Sequence, residues 1–281
     1  MTEGLRKVVV ARTRTSSFWR REPITSVSIA IGIGSCLCFI VIWGWLTRAG
    51  GPIPELLLPS PQAFMDAFWR LLKRPYLGSS LFTHILSSLG VVLGGWMLAA
   101  LVGMPLGIAM AWWRRLRWTV FPIFQIVRPV PPLAWIPLAI IWLGIGVGAR
   151  MSVVFVAALV PWVMNSMQAV ASVDPVLVQA ARTLGADDRT ILFRVIARTA
   201  LPTLMAGARI ALGNAWTTLI AAELLAASSG LGYVALNASR TLDTDILLVA
   251  MAIIGVLGAF LSFSMQVIAR NLAPWSRAGT R

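Results

Sequence analysis

The chain has 281 residues, of which 58% are hydrophobic and only 12% charged, and it carries a formal net charge of +14. Soluble domains hold roughly 25% charged residues, so a soluble globular enzyme is excluded and an integral membrane protein is indicated. The basic residues are spread between apolar runs and gather on no single face, which excludes a nucleic-acid surface as the origin of the charge.

A spanning helix needs roughly 20 mainly apolar residues, and six stretches qualify: 24–46, 84–112, 130–147, 151–171, 203–226 and 246–269. The fold class is therefore all-α, a polytopic membrane helix bundle of about six transmembrane helices. With a cytoplasmic amino terminus, seventeen Lys and Arg residues fall in inner segments and six in outer ones, with Arg209 inside a span. That bias sets both termini inside. The first apolar run follows a basic start but is longer than the core of a cleaved signal, so it is expected to remain. Residues 1–23 form a basic cytoplasmic amino terminus and 24–281 the transmembrane domain. Cys36 and Cys38, two apart within the first span, fall on different helix faces and predict neither a disulfide nor a metal site.

After the first span, Ser60 is placed to cap a helix with Pro61 at its first position. Phe64, Phe68, Leu71 and Leu72 then share a face, predicting a short helix along the outer membrane surface or one packed on the spans. Gly90 with Gly94, and Gly103 with Gly107, offer close backbone approach where lipid supplies no hydrophobic drive. Trp43 and Trp45 suit an outer aromatic belt, and Trp19, Trp112, Trp113, Trp118 and Trp275 an inner one. In "RPVPPLAWIP", Arg128 to Pro137, the prolines remove backbone donors and forbid a regular helix. Irregular backbone at membrane depth must be buried in protein or line a cavity, so this segment packs at the bundle centre or lines a path.

Between the fourth and fifth spans lies a polar insert, 172–202. From Pro175 a helix with a Leu177, Ala180, Ala181, Leu184 stripe is predicted to end at Gly185 in a left-handed turn. Asp187 then caps a second short helix, with Ile191, Leu192, Val195 and Ile196 on one face and Arg194 and Arg198 on the other. Two such helices make a compact knob suited to a groove in another protein, where a solvated linker would need neither caps nor a stripe.

Within this insert, "QAARTLGADDRTILFRVIARTALP" (Gln179 to Pro202) resembles the EAA loop of permeases in binding-protein-dependent ABC importers, with Ala180, Ala181 and Gly185 matching its core. "RPVPPLAWIPLAIIWLGIG" (Arg128 to Gly146), "AWTTLIAAELLAASSGLGYV" (Ala215 to Val234) and "DTDILLVAM" (Asp243 to Met251) are similar to the taurine and aliphatic-sulfonate permeases. Gln179 departs from the motif, standing where its first acid falls. Ala197 and Arg198 replace a common Leu-Pro pair, with Leu201 and Pro202 supplying one four residues later.

The resemblance implies a type I ABC importer permease fold in the bacterial inner membrane, working as a homodimer. It implies a pair of ABC ATPase subunits that bind ATP and Mg, and a periplasmic binding protein that delivers taurine, another small sulfonate, nitrate or a different small solute. Gln179, Ala180, Ala181, Gly185, Ala186 and Asp187 would couple to the ATPase. Arg128, Pro131, Pro132, Trp135, Arg209, Trp216 and Glu223 would line the path or its gate. The chain itself has two lysines, Lys7 and Lys73, and neither sits in a G-x-x-x-x-G-K-[ST] loop, so it is expected to hold no nucleotide and no other cofactor.

Glu223 is the one acid inside a predicted span, suited to a gate, a subunit interface or an interhelical hydrogen bond. Arg128 and Arg209 suit an oxyanion headgroup or snorkelling to the inner interface. His84, at the start of the second span, is assigned no chemistry, and no catalytic or metal-binding cluster stands out. A secondary carrier is the rival class, but its usual paired halves and intramembrane relays are not evident.

Overall fold

The computed structural model describes residues 26–48 and 51–275. The basic segment 1–23, Trp19, Arg277 and Arg281 lie outside the described residues. Two units divide the chain, Met1–Ile53 and Pro54–Arg281. The described part of the first is α1, Ser26–Leu46, whose side chains from Ala30 to Ile40 are all exposed. A helix apolar all round is one that lipid surrounds.

The second unit holds α2 (Pro61–Lys73), α3 (Leu81–Trp112), α4 (Arg114–Val127), a 3-10 turn (Pro132–Trp135), α5 (Ile136–Leu143), α6 (Val147–Ala171) and α7 (Pro175–Thr183). These are followed by α8 (Asp188–Thr190), α9 (Ala197–Ala226), α10 (Leu231–Thr241) and α11 (Thr244–Leu272). No strand forms among the described residues beyond one isolated bridge, Tyr76 to Ser79. Four helices are long and apolar enough to cross a membrane: α3, α6, the continuous run Asp188–Ala226, and α11. A bent pair makes a fifth crossing, and α1 is shorter, apolar over Ala30–Leu46.

Small residues let α3 lie directly on α6. Gly95, Ala99, Gly103 and Gly107 recur every fourth position along α3. A Cβ on Gly95 would meet Val154 at 2.7 Å, one on Gly103 would meet Trp162 at 2.9 Å, and one on Gly107 the Val163 carbonyl oxygen at 2.4 Å. Close backbone approach replaces the hydrophobic drive that lipid removes. Of the glycines expected here, Gly103 and Gly107 serve, Gly94 meets only the Met151 side chain, and Gly90 faces open space. These contacts climb both helices in the same direction, so α3 and α6 are parallel and the chain must return across the bundle between them.

That return is the bent pair: α4, then Pro132–Leu143, meeting at 86°. At 1.5 Å per residue the two arms are about 21 and 18 Å long, each too short to cross alone. The expected span 130–147 is corrected accordingly. Pro129, Pro131 and Pro132 break the helix at mid-crossing, and its first half is α4, which the arginines at 114–117 disguised as a loop.

α9 runs antiparallel to both neighbours: Trp96 Nε1 donates to the Ala208 carbonyl at 3.1 Å, and Ser88 reaches Glu223. α11 returns beside it, with Gly258 seated over the Trp216 indole. α2 begins as expected, with Ser60 Oγ accepting from the Ala63 N–H at 3.2 Å. Its inward face is Phe64, Ala67, Phe68 and Leu71; Leu72 points outward with Met65 and Trp69. An Arg70–Asp245 ion pair fastens α2 to the start of α11.

Candidate functional site

Three features stand apart from ordinary packing: a knob at one end of the bundle, a buried polar joint at the other, and a groove between them. The knob is α7 and the start of the run into α9. Asp174 caps α7, accepting from the Val176 N–H at 2.8 Å. Gly185, at φ +82°, ends it: its N–H donates to the Arg182 carbonyl at 2.9 Å and the Ala186 N–H to the Ala181 carbonyl at 3.0 Å. This paired closure needs a left-handed residue, a conformation that costs a residue with a Cβ about 1–2 kcal/mol.

Asp187 caps the next turn through the Thr190 N–H at 3.2 Å. Hydrogen bonds from the Thr190 hydroxyl and backbone N–H hold the Asp187 carboxyl below the usual carboxylate range.

The second helix does not stop as expected. A π segment, Ile191–Ile196, joins α8 to α9 without a break. The wider π turn brings Ile191 and Ile196, five apart, to the same buried face, and Ala200 and Leu204 continue it. Pro202 sits within α9 and does not end it. The knob is therefore continuous with the helix that enters the bundle. The predicted stripe on α7 faces outward: Ala181 is half-buried, whereas Leu177, Ala180 and Leu184 are exposed, Leu184 at 86%. Phe193 joins them at 71%. Gln179 is exposed too and its side chain makes no ion pair among the described residues.

At the far end, Glu223 is fully buried. Ser88 Oγ donates to its Oε1 at 2.7 Å, the Gly232 N–H donates to Oε2 at 2.8 Å, and Arg150 Nη1 lies 3.5 Å from Oε1. Arg150, 1% exposed, also donates to the Ser229 carbonyl at 2.7 Å. The Leu231 N–H donates to Ser88 Oγ at 3.0 Å. The Gly230 N–H donates to His84 Nδ1 at 3.1 Å, which assigns the ring hydrogen to Nε2, facing the Tyr76 carbonyl at 3.1 Å. The joint thus ties α3, α6 and α9 to the turn that starts α10. Arg150 and His84 are the members that sequence reasoning missed; a lone buried acid was the signal that a basic partner had to exist.

The groove, of about 560 Å³, opens where α4 breaks. Arg128, Pro132 and Trp135 line it, with Val156 to Pro161 opposite and Asn214 from α9. Residues 156–161 are the middle of α6, and Arg128, an exposed side chain, shares the groove with them. Pro131 sits at the break, its carbonyl accepting from the Ala134 N–H at 2.9 Å. The remaining candidates lie elsewhere. Arg209 opens into a separate groove of about 490 Å³ with Ser262 and Gln266 of α11. Trp216 is buried in the core against α11, and Glu223 belongs to the joint.

Residues 103–278 match the family described as binding-protein-dependent transport system inner membrane component. The taurine transport system permease protein TauC of Escherichia coli (strain K12) is 35% identical over 256 residues, covering 91% of this chain and 92% of that protein. The putative aliphatic sulfonates transport permease protein SsuC of the same organism is 35% identical over 250 residues, covering 85% and 89%. The bicarbonate transport system permease protein CmpB of Synechocystis sp. is 29% identical over 261 residues, covering 92% of each. Among solved structures, the MetNI methionine ABC transporter in an inward-facing conformation shares the fold, with a TM-score of 0.62 and 22% identity over 68% of this chain and 95% of that one.

Proposed function

The chain belongs to the family of inner-membrane components of binding-protein-dependent transport systems, and from that premise we propose that it imports taurine or a related small sulfonate across the cytoplasmic membrane. It is a multi-pass permease subunit of an ABC importer and not itself an enzyme. The similarity to the taurine permease along nearly the whole chain carries the choice of cargo. A periplasmic binding protein would deliver the sulfonate, two copies of this chain would enclose the path, and a pair of ATPase subunits would bind ATP and Mg.

In this reading both termini and the knob are cytoplasmic. Exposed Leu184 and Phe193 fill a groove on each ATPase, and nucleotide-driven closure is carried by the Asp188–Ala226 rod to the groove beside Asn214. Alternating access requires that nucleotide favour one of the two states. The reading is tested by reconstituting the chain with the ATPase and binding protein encoded beside it and measuring uptake of labelled taurine. ATP-dependent uptake that survives collapse of ion gradients supports it; uptake of bicarbonate but of no sulfonate refutes the cargo.

A further inference from the structure

We propose that the groove at the break between α4 and α5 is itself an oxyanion-binding site, in which Arg128, Trp135 and Asn214 take the headgroup of the solute as it crosses. The inference rests on the reading of this groove as part of the route. Three observations carry it, each a donor on the groove wall with no protein partner among the described residues, one of them buried and two exposed. Arg128, an exposed side chain, lines the groove together with residues of mid-α6 and makes no ion pair and no side-chain hydrogen bond among the described residues. The Trp135 Nε1–H is buried and meets no acceptor, and an indole nitrogen can only donate. The Asn214 side chain reaches the same cavity and makes no hydrogen bond there.

No Asp or Glu lines the groove, and the nearby acid of α9, Glu223, is saturated in its own joint. A cationic solute would be repelled by Arg128. An oxyanion would satisfy all three donors at once, because a guanidinium fork presents two parallel N–H groups to a pair of oxygens and leaves a third oxygen for the indole or the amide. The other walls are apolar, among them Phe124, Val127, Leu159 and Val160. They suit the carbon chain of an alkanesulfonate and give nothing to a bare inorganic anion. Pockets that fix orientation through a few convergent polar groups on an apolar lining are the common form of small-molecule sites.

Asn214 also ties the site to movement of the bundle. It stands on the exposed stripe of α9 with Gly213 and Thr217, on the rod that continues from the knob. A shift of that rod would withdraw one of the three donors, so the site would hold the anion in one state and release it in the other. Weak, state-dependent binding of this kind is what a transport step needs.

The test uses the complete importer in proteoliposomes, with methanesulfonate, butanesulfonate, taurine and bicarbonate as separate cargoes. Arg128→Gln is expected to lower uptake at least tenfold and Arg128→Lys less. Trp135→Phe, which deletes only the N–H, is expected to raise KM several-fold while the ATPase still co-purifies. Arg74→Gln, the same change at an exposed arginine just after α2, is expected to transport as the native chain does. Butanesulfonate is expected to lose more than bicarbonate when Val160 is changed to Asn. Native uptake in both Arg128→Gln and Trp135→Phe, or equal losses at Arg128 and Arg74, would overturn the site. A native importer that moves no sulfonate would overturn the cargo alone, and the Arg128→Gln effect on bicarbonate would still decide the groove.

Discussion

The two ends of the α9 rod treat polarity in opposite ways. At the Glu223 end, Glu223, Ser88, His84 and Arg150 are buried and every one of them has a partner outside its own helix. At the knob end the polar side chains Asp174 and Asp187 serve only their own turns as caps, and the apolar Leu184 and Phe193 stand in the open. A saturated buried network is a joint, built to hold one geometry. A stiffly capped surface with unmet apolar area waits for a partner. The groove between them shows a third condition, donors with no protein partner among the described residues, which the proposed anion would supply.

The comparison breaks most sharply at Glu223. Glu223→Ala strips the acceptor from Ser88 and the Gly232 N–H and leaves Arg150 as an uncompensated buried charge, a loss of about 3–5 kcal/mol. The folded fraction surviving a thermal ramp in detergent should collapse, and the pair change Arg150→Met with Glu223→Leu should recover part of it. A Glu223→Ala chain as heat-resistant as the native one would mean the network is not a joint. His84→Phe is a milder probe of the same end. It leaves the buried Gly230 N–H without its acceptor, worth about 1–3 kcal/mol, and the same ramp reads it.

The knob should respond in the reverse sense. Leu184→Glu touches an exposed side chain, so the thermal ramp should not move. If Leu184 anchors the ATPase, losing it at about 2 kcal/mol weakens association roughly thirtyfold. Binding-protein-stimulated ATP hydrolysis would fall with it. A chain that keeps full stimulation, or one that loses heat resistance instead, would erase the distinction between the ends.

The sequence made the knob end more legible than the Glu223 end, for a physical reason. Caps are local: Asp187 and Gly185 act on residues two to five positions away, so short-range chemistry reveals them. The joint is assembled from α3, α6 and α9, and the partner of Glu223 is 73 positions distant. Arg150 therefore counted only as an outer-loop charge. Where packing direction decides, pattern alone also fails. Trp216 and Asn214 sit two apart on α9, yet one is buried against α11 and the other faces the groove. The apolar runs located the long helices well. α4 escaped because its arginines made a helix start look like a loop, and the second knob helix ran on into α9 because a π turn realigned its buried face.

The smallest effect falls on the Asp187 cap and separates the ends by pH. The Thr190 hydroxyl and N–H favour the charged carboxylate, so the folded-state value lies below the unfolded one. The contribution is then fully present above the ordinary carboxylate range, near about 4, and is lost only as pH falls through the lowered folded value. Asp187→Asn keeps a capping oxygen that does not titrate. Compared in nanodiscs by hydrogen exchange, amides of Ile191 to Arg194 in the native chain should begin to fray, relative to Asp187→Asn, only below about pH 4. Protection that tracks identically in the two chains through the acid range would show that the cap acts by shape alone. The rod would then owe its firm knob end to the buried Ile191 and Ile196 face and not to the charge at its start.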